Sequence, residues 1–488
     1  MAAEQQIAAQ LELRITAPDW RRLQAHLFPG DEDEHGAVLL CGWASSARSQ
    51  RLLVREVVLA EDGISYVPGV RGYRQLTGHF VTQMIRRARD EKLVYLAVHN
   101  HGGKNSVRFS AADLRSHERG YPTLLGLTKQ PVGAIVLADG AVAGDIWIST
   151  RTRKPLARTV IIGSSPSTLG SEPPSSAVIT DARYSRQTLL YGSEGQSILR
   201  QSKVGIVGAG GVGMLIIQAL ARLGVGHLVV IDPDNVDPTN LPRLPETTRL
   251  DAMIWLNNPG LPARLQKLGK RMARPKASVA RRIARRANRR IIIEAIKGNI
   301  ADDTTAKLLT DCDFIFLAAD TMLARDIVNQ LAYQYLIPTL QIGSKAVISP
   351  ETRSVLDTFS VVRTLGPQRG CLRCNGLIDL HRLGEEALGD PEQILNQRYI
   401  DDPGVHAPSV IALNAMGAGW GVNSYMQYAV GLTSLIEGFH ILRTAPISDS
   451  HPLITVQMPA VVPDCHVCGH ESYSAFAQGD QQDLPTRL

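Results

Sequence analysis

The side chains that could do chemistry near the N-terminus are two histidines and two carboxylates. His99 and His101 end an apolar run, Asp113 follows, and Glu34 precedes another apolar run. Two imidazoles and a carboxylate are sufficient protein ligands for a catalytic zinc with water in the open position, and a separate glutamate can deprotonate that water. A lone HxH pair is more often a packing or loop feature, so the pattern by itself leaves both interpretations open.

A second candidate site is a glycine-rich turn followed by an acid. The turn contains Gly208, Gly210, Gly211 and Gly213, and Asp232 ends the next apolar run. Glycines let a backbone approach phosphates at a helix N-terminus, where unpaired N–H groups favour anions, while the acid can bind ribose hydroxyls. On these residues alone, an NAD-dependent dehydrogenase is the ordinary interpretation.

Four of the six cysteines form two CxxC pairs, Cys371 with Cys374 and Cys465 with Cys468. Four thiolates in two tight turns have the composition of a closed tetrahedral site for structural zinc, with a redox pair or chance as the alternatives. The other two cysteines, Cys41 and Cys312, lie in apolar runs and are predicted to be buried.

Short apolar runs and one amphipathic helix must position the histidines. The pattern predicts a helix over Gly78–Asp90 and strands at Ala37–Cys41, Leu52–Leu59, Leu93–Val98 and Val132–Leu137. These elements predict a mixed α/β domain over residues 1–160.

The glycine turn must lie inside a β-α-β unit. Strand Val204–Val207, helix Val212–Leu223 and strand Leu228–Ile231 supply it, which predicts a doubly wound parallel sheet in a domain over residues 179–488. Ser, Pro and Gly dominate residues 163–177, so we expect a solvated linker at residues 161–178.

Composition predicts an ordinary globular protein. The 488 residues are 44% hydrophobic and 20% charged, enough for more than one core. No basic-then-apolar leader and no apolar stretch of about 20 residues occurs, so we expect a cytoplasmic protein with no membrane partner.

Positive charge is concentrated in one segment. Residues 263–292 hold 12 of the 52 Lys and Arg and no acid, so the rest of the chain carries 40 basic against 46 acidic residues. The segment is either a solvated basic helix or a surface for something anionic, namely ATP, an acidic protein or nucleic acid.

The residues after the glycine turn are more specific than the turn itself. Residues 232–243 read DPDNVDPTNLPR, which resembles the DxDxVxxxNLxR signature of the ubiquitin-activating/ThiF/MoeB family. The resemblance runs from Arg183 to about Gly469. It includes RYSRQ at 183–187, RPK at 274–276, AD at 319–320 and APS at 407–409.

The resemblance implies that the nucleotide is ATP and that the C-terminal glycine carboxylate of a ubiquitin-like protein attacks its α-phosphate. Fixed cations and Mg²⁺ would neutralise the charge that moves onto pyrophosphate. The matching residues are the ribose-binding acid Asp232, its neighbour Asp234 in the nucleotide site, the phosphate-contacting Asn240, Arg243 and Lys276, the Mg²⁺-holding Asp320, and Arg186, which reaches the partner's site in a homodimer. The spacing from Arg243 to Lys276 is longer than in the family's pattern.

The N-terminal residues also resemble a known pattern when taken together. Glu34, His99, His101, Ser110 and Asp113 resemble the E, HxH, SxxD pattern of the JAB/JAMM metallopeptidases, over most of residues 10–160. The resemblance implies that the two histidines and the aspartate bind zinc, that the glutamate is the general acid/base, and that the serine helps to stabilise an oxyanion. The HxH-to-serine loop is longer than usual and lacks the common proline. The family's glutamate precedes such a strand, which favours Glu34 for the base over the alternatives Glu32 and Glu56.

Together the two resemblances predict a bifunctional enzyme. One domain would adenylate a ubiquitin-like protein, and the other would cleave peptide or isopeptide bonds after that protein's C-terminal glycine. A ubiquitin-conjugating-type carrier is the expected further partner, and no nucleic-acid partner is expected.

Residues 375–409 contain no cysteine, although family members that pass the activated protein to a thiol carry one there. Either the adenylate is delivered directly to an acceptor, or another nucleophile acts. The alternatives for the whole chain are an activator of a sulfur carrier in thiamine, molybdopterin or cysteine synthesis, and a non-catalytic scaffold.

Overall fold

The computed structural model describes residues 10–68, 72, 74–163, 167–172, 181–349, 351–352, 354–388, 408–444 and 453–487. No helix in these ranges is long and apolar enough to cross a membrane. The chain divides into a first unit, residues 1–177 with 333–336 and 463–483, and a second unit, residues 178–332 with 337–462 and 484–488. The domain bounds 1–160, 161–178 and 179–488 stay predictions.

The first unit is a nine-stranded mixed sheet with three helices. The strands lie in the order β7-β6-β5-β4-β2-β3-β1-β8-β9. The elements are β1 (Gln10–Thr16), α1 (Ala17–Leu27), β2 (Gly36–Ser45), β3 (Ser49–Leu59), α2 (Gly78–Asp90), β4 (Val94–Asn100), α3 (Ala111–Thr128), β5 (Val132–Ala138), β6 (Ala141–Ser149), β7 (Thr152–Pro155), β8 (Arg158–Ile162) and β9 (Ser167–Leu169).

Both faces of this sheet are covered. Along β2, Leu39 and Cys41 pack into a core with α1, whereas Val38 and Leu40 pack into a second core with α2 and Tyr121 of α3. Alternate residues of a strand point to opposite faces, so an apolar run such as this one fits a strand buried on both sides. The four predicted strands and the predicted helix are confirmed, and Cys41 is buried as predicted, which raises the pKa of its thiol.

The serine- and proline-rich segment is only partly described. Residues 167–169 form β9 and pair antiparallel with β8, so this part is an edge strand, although we expected solvated linker. Edge pairing uses backbone hydrogen bonds and needs no apolar side chains, which is why the composition missed it. Residues 164–166 and 173–178 of the predicted linker lie outside the described residues.

The second unit contains an eight-stranded sheet in the order β12-β11-β10-β13-β14-β15-β16-β17. Its strands are β10 (Lys203–Val207), β11 (His227–Ile231), β12 (Ile292–Ile296), β13 (Phe314–Leu317), β14 (Thr339–Ile348), β15 (Val355–Leu365), β16 (Phe439–Arg443) and β17 (Ile454–Gln457). The helices along this part of the chain are α4 (Ser185–Gln201), α5 (Gly211–Leu223), α6 (Ala263–Met272), α7 (Lys276–Ala287), α8 (Asp303–Ala306), α9 (Met322–Gln334), α10 (Leu380–Leu388) and α11 (Ile411–Ala429). Single 3-10 turns occur at Ala182–Tyr184, Pro238–Asn240 and Lys307–Leu309.

The predicted β-α-β unit is confirmed, because β10 and β11 pair in parallel from Lys203 opposite His227 to Val207 opposite Ile231. Strands β12, β11, β10, β13 and β14 are parallel. The prediction of a parallel sheet is wrong for β15 to β17, which pair antiparallel. The β14–β15 connection is too short for the crossover that parallel strands require. Cys312 is fully buried just before β13, as predicted.

The basic segment forms two helices, α6 and α7. Asp251, which is 2% exposed, accepts hydrogen bonds from Arg282 of α7 and pairs with Arg274 just before α7, so it ties the preceding loop to this part of the segment. The four cationic side chains of α6 are exposed: Arg264, Lys267, Lys270 and Arg271. The segment is therefore solvated along α6 and anchored along α7.

Candidate functional site

The two histidines and the aspartate of the first unit lie together at one end of β4. His99 is the last residue but one of that strand, and His101 comes directly after the strand. Asp113 is in the first turn of α3. The two Nε2 atoms are 3.1 Å apart, and Asp113 Oδ2 lies 3.7 Å from that of His99 and 3.5 Å from that of His101. Each of the three residues offers one ligand atom, and these three atoms all lie within 4.8 Å of one another. The donor set and its spacing fit a zinc ion.

Ser110 orients Asp113. It is the N-cap of α3, where its backbone N–H and its hydroxyl donate to Asp113 Oδ2 at 2.8 and 2.7 Å, in a capping box. Burial acts to raise the pKa of Asp113, but the hydrogen bonds from His99 and Ser110 outweigh it and hold the pKa well below its ordinary value. Asp113 is thus held as a carboxylate. The Ser110 hydroxyl, predicted to stabilise an oxyanion, is directed at the carboxylate.

Glu34 lies at the rim of this cluster. Gly36, at the start of β2, pairs with His99, which brings the preceding residues to the same sheet edge. Glu34 Oε1 is 3.8 Å from His101 Nε2, and its backbone N–H donates to Gly72 O at 2.7 Å. Glu56 instead receives two hydrogen bonds from Arg87, at 3.1 and 2.6 Å, which lower its pKa. The geometry favours Glu34 over Glu56.

His101 has a defined orientation beside an open cavity. Its Nδ1 lies 3.1 Å from the carbonyl oxygen of Arg108, so a proton on Nδ1 leaves the Nε2 lone pair facing Asp113 and His99. A cavity of about 660 Å³ opens next to the ring, lined by His101, Gly102, Ser106, Val107, Arg108 and Glu172.

The glycine turn of the second unit is built by close backbone contacts. Gly208 has φ +94°, and a Cβ there would lie 2.9 Å from the Ala318 carbonyl at the end of β13. A Cβ on Gly213 would lie 1.9 Å from Gly208 O, which no side chain permits. These two glycines are therefore required by packing, before any ligand is considered.

The other two glycines of the turn differ from each other. A Cβ on Gly211 would meet the side-chain amide of Asn414, whereas a Cβ on Gly210 would meet nothing within 4 Å. Gly210 is the N-cap of α5 and has no side chain to satisfy the helix N–H groups. Open space in front of an uncapped helix N-terminus suits a phosphate group.

Asp232 lies at the other side of the turn. It is 4% exposed, and its two oxygens accept hydrogen bonds from Ala209 N at 2.7 Å and Asp234 N at 2.9 Å. Burial raises the pKa of Asp232, and the Lys276 charge opposes that rise. The carboxylate thereby holds the glycine turn and the following loop in one geometry.

Lys276 lies beside these acids despite its unusual spacing in the sequence. Its Nζ is 2.7 Å from Asp234 Oδ2, and its backbone N–H donates to Asp234 O. The extra residues after Arg243 form a turn-rich loop and α6, and the chain then returns through a bridge of Asn235 with Pro275. The chain after the insertion therefore brings Lys276 beside Asp234, two residues after Asp232.

The remaining residues predicted to bind the nucleotide either bond to nearby residues of the chain or are exposed. Asn240 is buried and its Oδ1 accepts from Asp237 N, while Arg243 donates to Thr239 O at 3.0 Å. Asp320 is exposed three residues beyond β13. Arg186 is exposed in the first turn of α4. Of the APS motif, Ala407 lies outside the described residues.

The four CxxC cysteines form a cluster whose sulfur atoms all lie within 4.8 Å of one another. The Cys371 and Cys374 sulfurs are 3.5 Å apart, and Val467 N donates to Cys465 Sγ. Four thiols at this spacing, with no disulfide among them, match the closed tetrahedral donor set of a zinc site.

Asn414 was missed by the sequence analysis. This 2%-exposed residue of α11 bonds Ser344 Oγ and donates to Ser409 Oγ at 3.2 Å, and its amide packs against Gly211. Only the serine of the APS motif pointed to this region. A lone asparagine inside a mostly apolar helix carries no signal of its own.

A parallel sheet with a glycine turn after one strand, an uncapped helix N-terminus and a buried acid after the next strand defines a nucleotide-binding α/β protein. Residues 184–437, more than half of the chain, match the ThiF family. The chain belongs to the ThiF family. That match leaves residues 1–183 outside it, so the peptidase resemblance stays a prediction.

Several characterised proteins are similar to this chain. The molybdopterin-synthase adenylyltransferase of Salmonella typhimurium is 30% identical over 209 residues, 42% of this chain and 70% of the relative. The SAMP-activating enzyme E1 of Haloferax volcanii is 29% identical over 194 residues, 39% of this chain and 60% of the relative. The sulfur carrier protein ThiS adenylyltransferase of Bacillus subtilis is 30% identical over 207 residues, 41% of this chain and 52% of the relative.

Proposed function

We propose that this chain adenylates the C-terminal glycine of a small ubiquitin-like protein with ATP, and that its first unit is a zinc peptidase that cleaves after the same protein. The observation that carries the first activity is the glycine turn tied to Asp232, beside Lys276, in a ThiF-family unit. Two of the relatives above are named as adenylyltransferases and one as an activating enzyme E1. Family membership also favours ATP over the dinucleotide that the glycines alone suggested.

In the adenylation reaction a carboxylate oxygen bonds to the α-phosphorus of ATP, and the bond to the bridging oxygen breaks to release pyrophosphate. Gly210 leaves room at the N-terminus of α5 for phosphate oxygens, and Asp232 suits the ribose. Lys276 and Arg243 would stabilise charge on the pyrophosphate, and Asn240 would contact phosphate. Asp320, exposed beyond β13, would hold Mg²⁺, which when bound neutralises phosphate charge.

The test is ATP–pyrophosphate exchange by the purified chain with a ubiquitin-like protein ending in glycine. We expect exchange that depends on that protein and disappears in Asp320→Ala. Asp302→Ala changes an exposed aspartate just before α8 whose side chain makes no capping hydrogen bond, so it is the matched control and should keep exchange. Exchange that persists in Asp320→Ala would disprove the magnesium assignment, and exchange that is absent in the wild type with every such protein would disprove adenylation.

The peptidase proposal is supported by the ligand spacing at His99, His101 and Asp113. These residues would hold a catalytic zinc ion, which when bound supplies a water of lowered pKa and polarises the scissile carbonyl. Glu34, whose Oε1 is 3.8 Å from His101 Nε2, would take a proton from that water and return it to the leaving amine. Ser110 keeps Asp113 ionised and oriented, and its hydroxyl could turn towards an oxyanion during the reaction.

Cleavage is tested with a fusion of the ubiquitin-like protein to a reporter at its terminal glycine. We expect zinc-dependent release of the reporter, loss after chelation, and recovery on adding zinc. Release that is unchanged by chelation would refute the metallopeptidase proposal.

The four-cysteine cluster would hold a second, structural zinc ion. The lack of cysteine in residues 375–409 favours direct delivery of the adenylate to an acceptor, with a conjugating-type carrier as partner. Intact-mass analysis after incubation with ATP and the ubiquitin-like protein would detect an adenylate without a covalent enzyme adduct. A homodimer, with Arg186 reaching the partner's site, is tested by mixing Arg186→Ala with Asp320→Ala and looking for restored exchange.

The alternative of a sulfur-carrier activator is favoured by the names of two of the relatives. It predicts that, when a persulfide donor and a thiol reductant are supplied, the persulfide displaces AMP from the adenylate and the thiol cleaves the resulting acyl disulfide to a thiocarboxylate. Conjugation to amines in place of that product would favour the ubiquitin-like pathway.

A further inference from the structure

Two arginines on the far side of Asp320 lack the partners that such residues usually have. Arg325 is in the first turn of α9, and Arg363 is in β15. Both side chains are partly buried, and the Nε of Arg325 is buried with no hydrogen-bond partner. In the described ranges, the side chain of Arg363 donates a hydrogen bond only to Gln341 Oε1, at 2.6 Å, and that of Arg325 only to Met322 Sδ, at 3.9 Å.

The two guanidiniums are neighbours of like charge. Burial and, to a smaller extent, the Arg325 charge lower the pKa of Arg363 to about 10. Burial also lowers the pKa of Arg325, where the Asp320 and Glu386 charges act in the opposite direction and Arg382 adds to the fall. Glu386 accepts from Met322 N and Leu323 N. Partly buried like charges without an ion pair are costly, and an anion placed between them would relieve that cost.

Sheet order places this pair on a defined side of the nucleotide site. In the strand order β11-β10-β13-β14-β15, Asp232 follows β11, the glycine turn follows β10 and Asp320 follows β13. Leu317 at the end of β13 pairs with Gln341, which pairs with Arg363. The arginines therefore lie beyond Asp320, on the side away from the ribose-binding acid.

The chemistry of the pair selects the class of anion. A guanidinium presents a planar fork that matches a carboxylate in two parallel hydrogen bonds. The Arg363 guanidinium carbon lies 5.8 Å from the centre of the Phe439 ring, so an apolar ring lies beneath the charge. In the proposed adenylation site, the phosphate oxygens of ATP would bind at the N-terminus of α5, on the other side of Asp320.

We propose that Arg325 and Arg363 bind the C-terminal carboxylate of the protein substrate and hold it on the β15 side of Asp320, ready to attack the α-phosphate. This assignment rests on the adenylation proposed above. The two arginines act as binding and positioning groups for the nucleophile, and they distinguish a free carboxylate from any blocked C-terminus.

The experiment measures binding to the full-length chain without ATP, by fluorescence anisotropy. The probes are two labelled peptides that end in Gly-Gly, one with a free carboxylate and one with a C-terminal amide. We expect the wild-type chain to bind the carboxylate peptide about tenfold more tightly than the amide, the difference that a hydrogen-bonded charge produces. Arg363→Met should remove this difference, and Arg289→Met, an exposed arginine beyond α7, should preserve it.

Circular dichroism checks that each variant is folded, and Arg325→Met replaces Arg363→Met if the latter is not. Equal affinity for the two peptides, or no binding of either, would overturn the proposal. So would pyrophosphate binding that is lost in Arg363→Met, since the subsite would then belong to the leaving group. Because the assay contains no ATP, a failure of adenylation appears separately in the exchange assay.

Discussion

The two candidate sites of this chain are built in opposite ways. The site in the first unit consists of side chains, with His99, His101 and Asp113 within a few ångströms of each other and Ser110 holding the aspartate. The site at the glycine turn consists mainly of backbone, where missing side chains allow close approach and Asp232 is used to fix N–H groups. A side-chain site should therefore lose chemistry without losing structure, and a backbone site should lose both together.

The largest effect is expected at Glu34. Glu34→Gln removes the proton acceptor with almost no change in shape, so cleavage of the fusion should fall about 10²–10⁴-fold, the range for a general base. ATP–pyrophosphate exchange and the melting temperature should stay at wild-type values. Glu32→Gln is the control and should cleave normally. If Glu34→Gln cleaves and Glu32→Gln does not, the base has been misassigned.

The glycine turn should respond differently. Gly213→Ala forces a Cβ to within 1.9 Å of Gly208 O, so we expect several kcal/mol of destabilisation and no exchange. Gly210→Ala meets open space and should fold normally, so any loss of exchange reports contact with the nucleotide. Urea unfolding measures the stability of each variant and ATP binding measures its contact with the nucleotide, so together they separate a packing defect from a lost ligand contact. Wild-type stability in Gly213→Ala would contradict the packing argument.

A smaller effect is expected at Asp251, which anchors the basic insertion. Burial acts to raise the pKa of Asp251, but hydrogen bonds from Arg282 and Thr248 lower it to about 2. A carboxyl whose pKa is lowered by folding contributes stability above its unfolded pKa, and this is lost as pH falls through the folded pKa. Asp251→Asn should cost about 2–3 kcal/mol at neutral pH.

The Asp251 effect has a pH signature. The stability difference between wild type and Asp251→Asn should shrink as pH falls from about 4 towards about 2, where the wild-type carboxyl is protonated. Urea unfolding at several pH values measures it. A difference that is independent of pH in this window would show that shape, and not charge, explains the loss.

The smallest effect is expected inside the first unit, where Arg55 holds the segment 463–483. Its guanidinium donates to the carbonyl oxygens of Glu471, Ser474 and Phe476. Arg55→Met should leave these carbonyls unsatisfied, cost about 1–3 kcal/mol, and speed proteolysis within that segment. Arg21→Met, at an exposed arginine of α1, is the control. Unchanged proteolysis would show that backbone packing against Gly42 is sufficient.

Much of the fold followed from local pattern. The helix Gly78–Asp90 and the strands around it appear where alternation and helical spacing indicated, because one apolar face per element is enough to specify it. The strand β9 and the antiparallel β15 to β17 did not follow, since an edge strand held by backbone pairing leaves little trace in side-chain type.

The candidate sites also have a part that the sequence predicted and a part that only the fold determined. The residue types of Glu34, His99, His101 and Asp113 were sufficient to name a zinc chemistry, but only the fold brought Glu34 to 3.8 Å from His101 and paired Glu56 with Arg87. Choosing among three glutamates needs distances, and distances come from strand pairing.

The sequence by itself determined which chemical groups this protein carries, because residue type and short spacing fix the glycine turn, the acid after it and the two CxxC pairs. Only the tertiary structure decided which distant residues meet. It returned Lys276 to Asp234 after the loop and α6, and it placed Arg363 of β15 opposite Gln341 of β14. The physical reason is that sheet register and helix packing set these meetings, and both depend on contacts between residues far apart in the chain.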